Sequence, residues 1–243
     1  MKKIICIFMV LAIQVSGFFC VAEEMKISTL QLSNPDYQGI HDEFKSQGEV
    51  TRIISADTSG GLYFFVFVEQ RLKTDVHKGM ETTLYGVMKD ESWGKVKKIK
   101  EDDITYTIKN LRAYVLLADH GGYTERQKFQ DFGNEVYWPE FIYDDCFIQD
   151  VDGDGEPEFY LTYFGQSDGL DAKPLKVIVY NSHQMNGGKY IKAKTTAWYP
   201  AGNEDDKYRI EYDEAWLALP DAIKNKTNDI LKKNYASEQY SQN

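Results

Sequence analysis

The sequence predicts a mostly β fold of the α+β class, in which antiparallel sheets are followed by a helical C-terminal segment. Runs rich in aromatic and β-branched residues recur along the chain between turns of Gly, Asp and Asn, as is typical of antiparallel strands. Residues 211–233 instead place apolar side chains at helical spacing, and Pro220 suits the first turn of a helix. No internal repeat is visible, which argues against a multi-bladed propeller.

The N-terminus carries the pattern of a secretory signal peptide. Lys2 and Lys3 form a short basic region, residues 4–15 are almost wholly apolar, and small side chains precede a cleavage point after Ala22. Residues 1–22 are therefore predicted to be removed on export, either to the periplasm or to the cell surface. Two alternatives stay open, namely lipid modification of Cys20 and retention of an uncleaved anchor.

Residues 23–243 are predicted to form a single mostly β domain with a helical C-terminus. Cleavage would remove two of the 28 basic residues and none of the 38 acidic ones, so the net charge would change from −10 to −12. This charge argues against a nucleic-acid partner, and no later segment is apolar enough for an integral membrane span. Cys146 would be the one remaining cysteine, which excludes a disulfide framework and favours a buried packing role.

The strands are predicted from period-two patterns and apolar runs. Leu62–Val68 is apolar on both faces and is expected to be a central strand. A loop is expected at Asn34-Pro35-Asp36, and a long loop with one helical turn at residues 121–140. The remaining strands are predicted at residues 25–32, 49–56, 82–89, 95–100, 106–108, 112–118, 147–149, 159–163, 175–180 and 189–198.

Residues 150–158 have the spacing of a calcium loop. Ca²⁺ takes six to eight oxygen ligands, so carboxylates at loop positions 1, 3 and 5 must converge on one point. Gly155 supplies the sharp turn at position 6, position 7 usually offers a carbonyl, and position 9 offers a side chain. The residues predicted to hold the metal are Asp150, Asp152, Asp154, Glu156 and Glu158.

The loop departs from an EF-hand in ways that predict a hairpin. Position 12, a bidentate glutamate in EF-hands, is Leu161, and position 8 is Pro157, which lacks an N–H. The flanking residues read as strands, so the loop is expected to join two of them. The alternative is a solvated Asp-Gly turn without a metal. The first candidates for further ligands are Asp168 and Asp171, and the next are Asp144 and Asp145.

The order of features around this loop resembles a family of exported bacterial proteins known as surface polysaccharide biosynthesis proteins. An aromatic strand with Cys146 precedes the loop, a Ser167-Asp168 turn and the run 173–179 follow it, and a Leu219-Pro220 helix closes the chain. The resemblance covers about residues 140–235. It implies a link to the cell envelope, no defined reaction, and metal ligation by Asp150, Asp152, Asp154 and Glu158. The loop alone also resembles the calcium loops of integrin-type secreted β-repeats.

The rest of the sequence offers no recognisable catalytic constellation. Its four His are dispersed, and zinc-binding, nucleophile-elbow and phosphate-binding patterns are absent. Exposed aromatic rings can stack on sugars, although a β core explains the aromatic content more simply. The tryptophans in question are Trp93, Trp138, Trp198 and Trp216.

These observations predict an exported, non-enzymatic calcium-binding protein whose partner is an envelope polysaccharide or an envelope protein. Two alternatives stay open. The first is a periplasmic inhibitor or immunity protein, and the second is a calcium-dependent carbohydrate-active enzyme.

Overall fold

The computed structural model describes residues 25–79, 81–89, 92–100, 102–167, 171–186, 189–200 and 207–241. The strands are β1 Lys26–Thr29, β2 Glu49–Thr58, β3 Gly61–His77, β4 Glu81–Val87, β5 Trp93–Lys100, β6 Ile104–Asp119, β7 Gly122–Phe132, β8 Tyr137–Phe141, β9 Phe147–Gln149, β10 Glu158–Ser167, β11 Lys173–Asn186, β12 Lys189–Tyr199 and β13 Arg209–Tyr212. The helices are α1 Pro35–Phe44, α2 Glu214–Leu217 and α3 Asp221–Ser241, and a 3-10 turn spans Tyr143–Asp145. The fold is mostly β with antiparallel sheets and a C-terminal helix, as the sequence predicts.

Two larger antiparallel sheets and one hairpin account for all of these strands. The first sheet has the order β1-β2-β3-β6-β7, and the second has the order β13-β12-β11-β10-β8. β9 also pairs with β10, so β8 and β9 share one edge of that strand. The β4–β5 hairpin connects the ends of β3 and β6, whose ladder continues to the pair His77–Ile104. The second sheet therefore places the 150–158 loop at the start of its β10 strand.

The two sheets pack face to face through aromatic side chains. Phe65 of β3 lies 5.7 Å from Phe159 of β10, measured between ring centroids, and Phe129 of β7 lies 4.9 Å from Tyr163. These rings belong to one buried cluster that draws residues from both sheets. Burying such rings against each other is the main source of stability expected for a sandwich of this kind.

Helices cover the outer faces of both sheets. Ile40 and Phe44 of α1 pack against the outer face of the first sheet, and Ile223 and Leu231 of α3 pack against the outer face of the second. Both faces of β3 are buried as a result, which explains its continuous apolar run. The predicted central position of Leu62–Val68 is confirmed, because β3 lies between β2 and β6.

The predicted loop at residues 34–36 is wrong, because these residues begin a helix. The Asn34 side chain accepts a hydrogen bond of 2.8 Å from the Asp36 N–H, and Pro35 occupies the first helical turn. Asn and Pro at these positions stabilise a helix start as readily as they form a turn. Packing of Tyr37, Ile40 and Phe44 on the sheet decides the outcome.

The predicted long loop at residues 121–140 is also wrong, because β7 and β8 occupy most of it. β7 is an edge strand of the first sheet, and most of its side chains are partly or fully exposed. Its polar composition reflects this solvated edge, and pairing with β6 supplies the backbone hydrogen bonds that define the strand. The His120-Gly121 turn before it has positive φ angles at both residues, as a tight hairpin requires.

The C-terminal helical segment has different bounds from the predicted 211–233. Residues up to Tyr212 belong to β13, and helical structure begins at Glu214 and runs in α3 to Ser241. Asp213 lies between the strand and the helix and bonds to both sides. One of its side-chain oxygens accepts a hydrogen bond from the Trp216 N–H at 3.0 Å, and the other accepts one from the Lys194 N–H of β12 at 2.8 Å. The segment 1–22 lies outside the described residues, so its role as a signal peptide stays a prediction.

Candidate metal centre

The 150–158 loop joins two paired strands, as predicted. β9 and β10 are antiparallel, and Glu158 faces Gln149 across the ladder. Gly153 and Gly155 adopt φ angles of +77° and +91°, which L-residues with side chains rarely adopt. The two glycines thus allow the chain to turn twice within the loop, and a Cβ at either position would meet no atom within 4 Å.

Asp150 organises the loop by accepting three backbone hydrogen bonds. Its Oδ1 accepts the N–H of Gly153 at 2.7 Å and that of Asp154 at 3.1 Å, and its Oδ2 accepts the N–H of Gly155 at 3.0 Å. A carboxylate that gathers the amides of the following residues holds a short Asp-Gly loop closed without any secondary structure. The fold of the loop is therefore encoded locally.

Three carboxylates converge on one point beside this loop. One oxygen from each of Asp150, Asp152 and Glu158 lies within 4.8 Å of the other two. Two oxygens bound to the same Ca²⁺ at 2.3–2.6 Å lie at most about 4.6–5.2 Å apart, so the spacing fits a shared cation. Oδ2 of Asp152 is also shielded from solvent. The arrangement offers hard oxygen ligands of the kind that Ca²⁺ prefers.

Glu158 is a completely buried acid at the base of the cluster. Its exposed fraction is 0%, its Oε2 accepts the Val151 N–H at 2.7 Å, and its Oε1 accepts the Asn181 side-chain amide at 3.2 Å. Burial, joined by the negative charges of Asp152, Asp154 and Asp150, raises the pKa of Glu158 to about 8. A bound cation would remove both costs, because it would compensate the buried negative charge.

The carboxylates of the other two predicted residues lie outside this cluster, whereas the ligand predicted from Glu156 is its backbone carbonyl. Asp154 is exposed, and its Oδ1 accepts the N–H of Glu156 at 2.8 Å, which closes the second half of the loop. The carboxylate of Glu156 points towards the β2–β3 turn, since a Cβ built on Gly60 would lie 3.5 Å from both of its oxygens. Partial burial raises the pKa of Glu156, as do the charges of Asp154 and Asp150.

Of the further candidate ligands, those that the structure describes also lie outside this cluster. Asp145 is buried, and its two oxygens accept hydrogen bonds from Lys233 at 2.7 Å and from Asn234 at 2.8 Å, which fasten α3 to the 3-10 turn. Asp144 and Asp171 are exposed or partly exposed and remain apart from the three converging carboxylates. Asp168 lies outside the described residues.

Cys146 has the packing role that its sequence context predicts. The thiol is buried, and its Sγ lies 3.3 Å from both the N–H and the carbonyl oxygen of Thr162. Burial raises the pKa of Cys146 to about 12, so the thiol stays protonated near neutral pH. This environment does not activate a nucleophile.

Asn181 is the residue that sequence reasoning missed. It is buried in β11, and it contacts Glu158 although 23 positions separate the two residues. The only signal in the sequence is an Asn that directly follows the apolar run 177–180, in a strand that pairs with β10. Such a residue is recognisable as a partner of Glu158 only after the strand register is known.

Comparison of the chain with protein families, with curated proteins and with solved structures found no match. The resemblance to the surface polysaccharide family therefore stays a prediction. Within the part of the chain that the structure describes, no helix is long and apolar enough to cross a membrane.

Proposed function

We propose that this chain is an exported, non-enzymatic calcium-binding protein of the cell envelope, with a polysaccharide or a protein as its partner. The observation that carries the proposal is the convergence of Asp150, Asp152 and Glu158 at distances that suit one Ca²⁺. The apolar leader at residues 1–22 supports export. The extracellular space is rich in Ca²⁺, so a site with three protein carboxylates and several waters would be filled there.

The metal would have a structural role. Three carboxylates within 4.8 Å of one another cannot all ionise without strong repulsion, and Glu158 is fully buried, so the ionised loop is electrostatically costly without a cation. Ca²⁺ would relieve that repulsion and fix the loop between β9 and β10. Because Glu156 of the same loop reaches the β2–β3 turn of the other sheet, a fixed loop would also hold the two sheets together at this end.

Thermal unfolding of residues 23–243 with millimolar CaCl₂ and with EDTA tests the proposal. At a Ca²⁺ concentration 10 to 100 times the Kd, ligand linkage predicts about 1.4–2.7 kcal/mol of stabilisation, or a rise in Tm of about 3–10 °C. The Asp152→Asn variant should lose most of this rise. Asp171→Asn is the matched control, because Asp171 is an exposed acid outside the cluster.

The result that would overturn the metal site is an equal Tm with Ca²⁺ and EDTA in the unaltered chain. An equal rise in Asp152→Asn and in the unaltered chain would place the metal elsewhere. Export is tested separately by the mass of the protein secreted by its native host, which should correspond to a chain that begins at residue 23. A purified mature protein that turns over a glycan substrate would contradict the non-enzymatic part of the proposal.

A further inference from the structure

A second site lies at the opposite end of β10 from the acidic loop. The distal part of the β3–β6 ladder extends past the first sheet and approaches β8, the edge strand beside β10. A cleft with a volume of ≈ 390 Å³ opens between these elements. This volume lies within the range of ligand sites in proteins. A smaller cavity of ≈ 150 Å³ adjoins it, and Glu140 and Gln166 line both.

One wall of the cleft is aromatic. Tyr106 of β6 stacks on Trp138 of β8, with ring centroids 4.5 Å apart and planes inclined by 21°. Trp138 is largely buried, and Tyr106 is partly exposed. Trp138 therefore packs behind Tyr106, and the pair presents a flat, rigid aromatic surface to a ligand in the cleft.

The remaining walls carry hydrogen-bonding groups of both charges. Glu69 and Lys109 form an ion pair of 3.0 Å, and the Tyr143 hydroxyl donates a 3.0 Å hydrogen bond to the same carboxylate. Arg71 and Glu140 add a second cation and a second anion, and Gln166 adds an amide. The two positive and two negative side chains balance, so the cleft has no net charge of its own.

The side chains that line the cleft favour some classes of ligand over others. A polyanion needs an excess of cations, which neither the cleft nor the chain of net charge −10 supplies. An apolar ligand would remove water from the Arg71 guanidinium, the Glu140 carboxylate and the Gln166 amide without replacing its hydrogen bonds, at a considerable cost in free energy. A sugar ring matches both features, because its C–H face packs on an aromatic ring and its hydroxyls both donate and accept hydrogen bonds.

We propose that this cleft binds a neutral saccharide, with one ring packed on Tyr106 and its hydroxyls held by Arg71, Glu140 and Gln166. The adjoining cavity leaves room for a neighbouring part of the same oligosaccharide beside Glu140 and Gln166. The site is separate from the acidic loop. Glu158 and Gln166 are eight residues apart on one strand, which corresponds to about 27 Å. Saccharide binding therefore does not depend on the proposed metal.

The experiment is a titration of the mature chain with maltopentaose, cellopentaose and the pentamer of N-acetylglucosamine, followed by calorimetry and by the indole N–H signals in NMR spectra. A hyaluronan hexasaccharide serves as the acidic comparator. At least one neutral pentasaccharide should bind with a Kd of about 1 mM or below and should shift one indole signal, which the Trp138→Phe variant assigns. Binding should persist in EDTA, so failure of the metal proposal would leave this result intact.

Two variants test the contacts. Tyr106→Ala should weaken saccharide binding at least about tenfold, because it removes the aromatic surface. The matched control is Tyr212→Ala, since Tyr212 stacks on Trp216 with a centroid distance of 4.6 Å at the other edge of the second sheet. Arg71→Gln tests the same site if Tyr106→Ala is unstable, because Arg71 is exposed and its replacement should leave the fold intact. This variant should also weaken saccharide binding.

Three results would overturn the proposal. The first is the absence of binding by every neutral pentasaccharide at about 10 mM. The second is binding that Tyr106→Ala and Arg71→Gln leave unchanged, or that Tyr212→Ala weakens equally. The third is binding of the acidic hexasaccharide alone, which would contradict the neutral class of ligand.

Discussion

The two ends of β10 differ in how their charged side chains are arranged. At its start, Asp150, Asp152 and Glu158 bring three carboxyl groups within 4.8 Å of one another. At its far end, the carboxylate of Glu69 meets the ammonium group of Lys109 at 3.0 Å. Like charges require a partner from solution, whereas paired charges leave a neutral surface.

This difference teaches what each end is suited to bind. The acidic loop would gain the most from a small cation, because a cation compensates the repulsion and the burial of Glu158 together. The cleft is already compensated internally, so a charged ligand would gain little there. Its aromatic wall and hydrogen-bonding groups instead suit a neutral polar ligand.

The largest expected effect is a pH dependence that belongs to the loop end alone. Glu158 has its pKa raised from 4.5 to about 8 by burial, so between these values the folded chain keeps a proton that the unfolded chain has lost. The free energy of unfolding in EDTA should therefore fall by about 4–5 kcal/mol as the pH rises through this window, and should level above it. Urea unfolding at several pH values measures this slope.

Glu158→Gln is the control for this slope, because glutamine does not titrate. The variant should lose most of the decline between pH 4.5 and pH 8. Ca²⁺ should also flatten the decline in the unaltered chain, because a bound cation favours the ionised carboxylate. An identical slope in the variant would show that Glu158 is not the group responsible and would break the contrast between the two ends.

A smaller effect is expected at the cleft end, and it should not depend on Ca²⁺. Lys109→Met should lower the free energy of unfolding by about 1–2 kcal/mol, because the mostly buried carboxylate of Glu69 would lose its cation. Lys98→Met removes a similar ion pair with Glu81 that is exposed, and it should leave stability unchanged. Equal losses in the two variants would contradict the internal compensation proposed for the cleft.

The smallest effect separates backbone strain from metal binding. Gly155→Ala and Gly121→Ala replace glycines with φ angles of +91° and +83°, and neither new Cβ would meet an atom within 4 Å. Each variant should lose about 1 kcal/mol in EDTA from backbone strain alone. Only Gly155→Ala should also lower the Ca²⁺ affinity, because strain at this residue would displace the N–H that holds the Asp150 carboxylate. Calorimetric titration of both variants with CaCl₂ distinguishes the two contributions, and an equal Ca²⁺ affinity would refute the role of Gly155.

Much of the β architecture was predictable because it is recorded in local patterns. The apolar run of β3 signals burial on both faces, and the glycines and aspartates of the 150–158 loop signal a hairpin. The errors fall where local signals are ambiguous. Asn34 and Pro35 suit a turn or a helix start, and the polar residues of β7 suit a loop or an edge strand. Packing on a sheet decides both cases, and packing is a property of distant residues.

The candidate metal site was also predictable only in part from the sequence. Asp150, Asp152 and Glu158 were predicted as ligands from spacing alone, and the structure brings them together. The carboxylate of Asp154 was predicted with them, but it closes the loop instead. Glu156 was predicted to offer its backbone carbonyl, which stays a prediction, and its side chain points towards the β2–β3 turn. Spacing shows which side chains lie near one another, but hydrogen bonds decide which of them face the same point.

By itself, the sequence determined the sheets with their helical end and the closed acidic loop, because strand patterns and the hydrogen bonds of Asp150 act over a few residues. Only the tertiary structure decided the burial of Glu158, its contact with Asn181 and the existence of the cleft at the far end of β10. The cleft draws its walls from β3, β6, β8 and β10, between residues 69 and 166. Such a site has no local pattern, because the register of paired strands and the packing of two sheets create it.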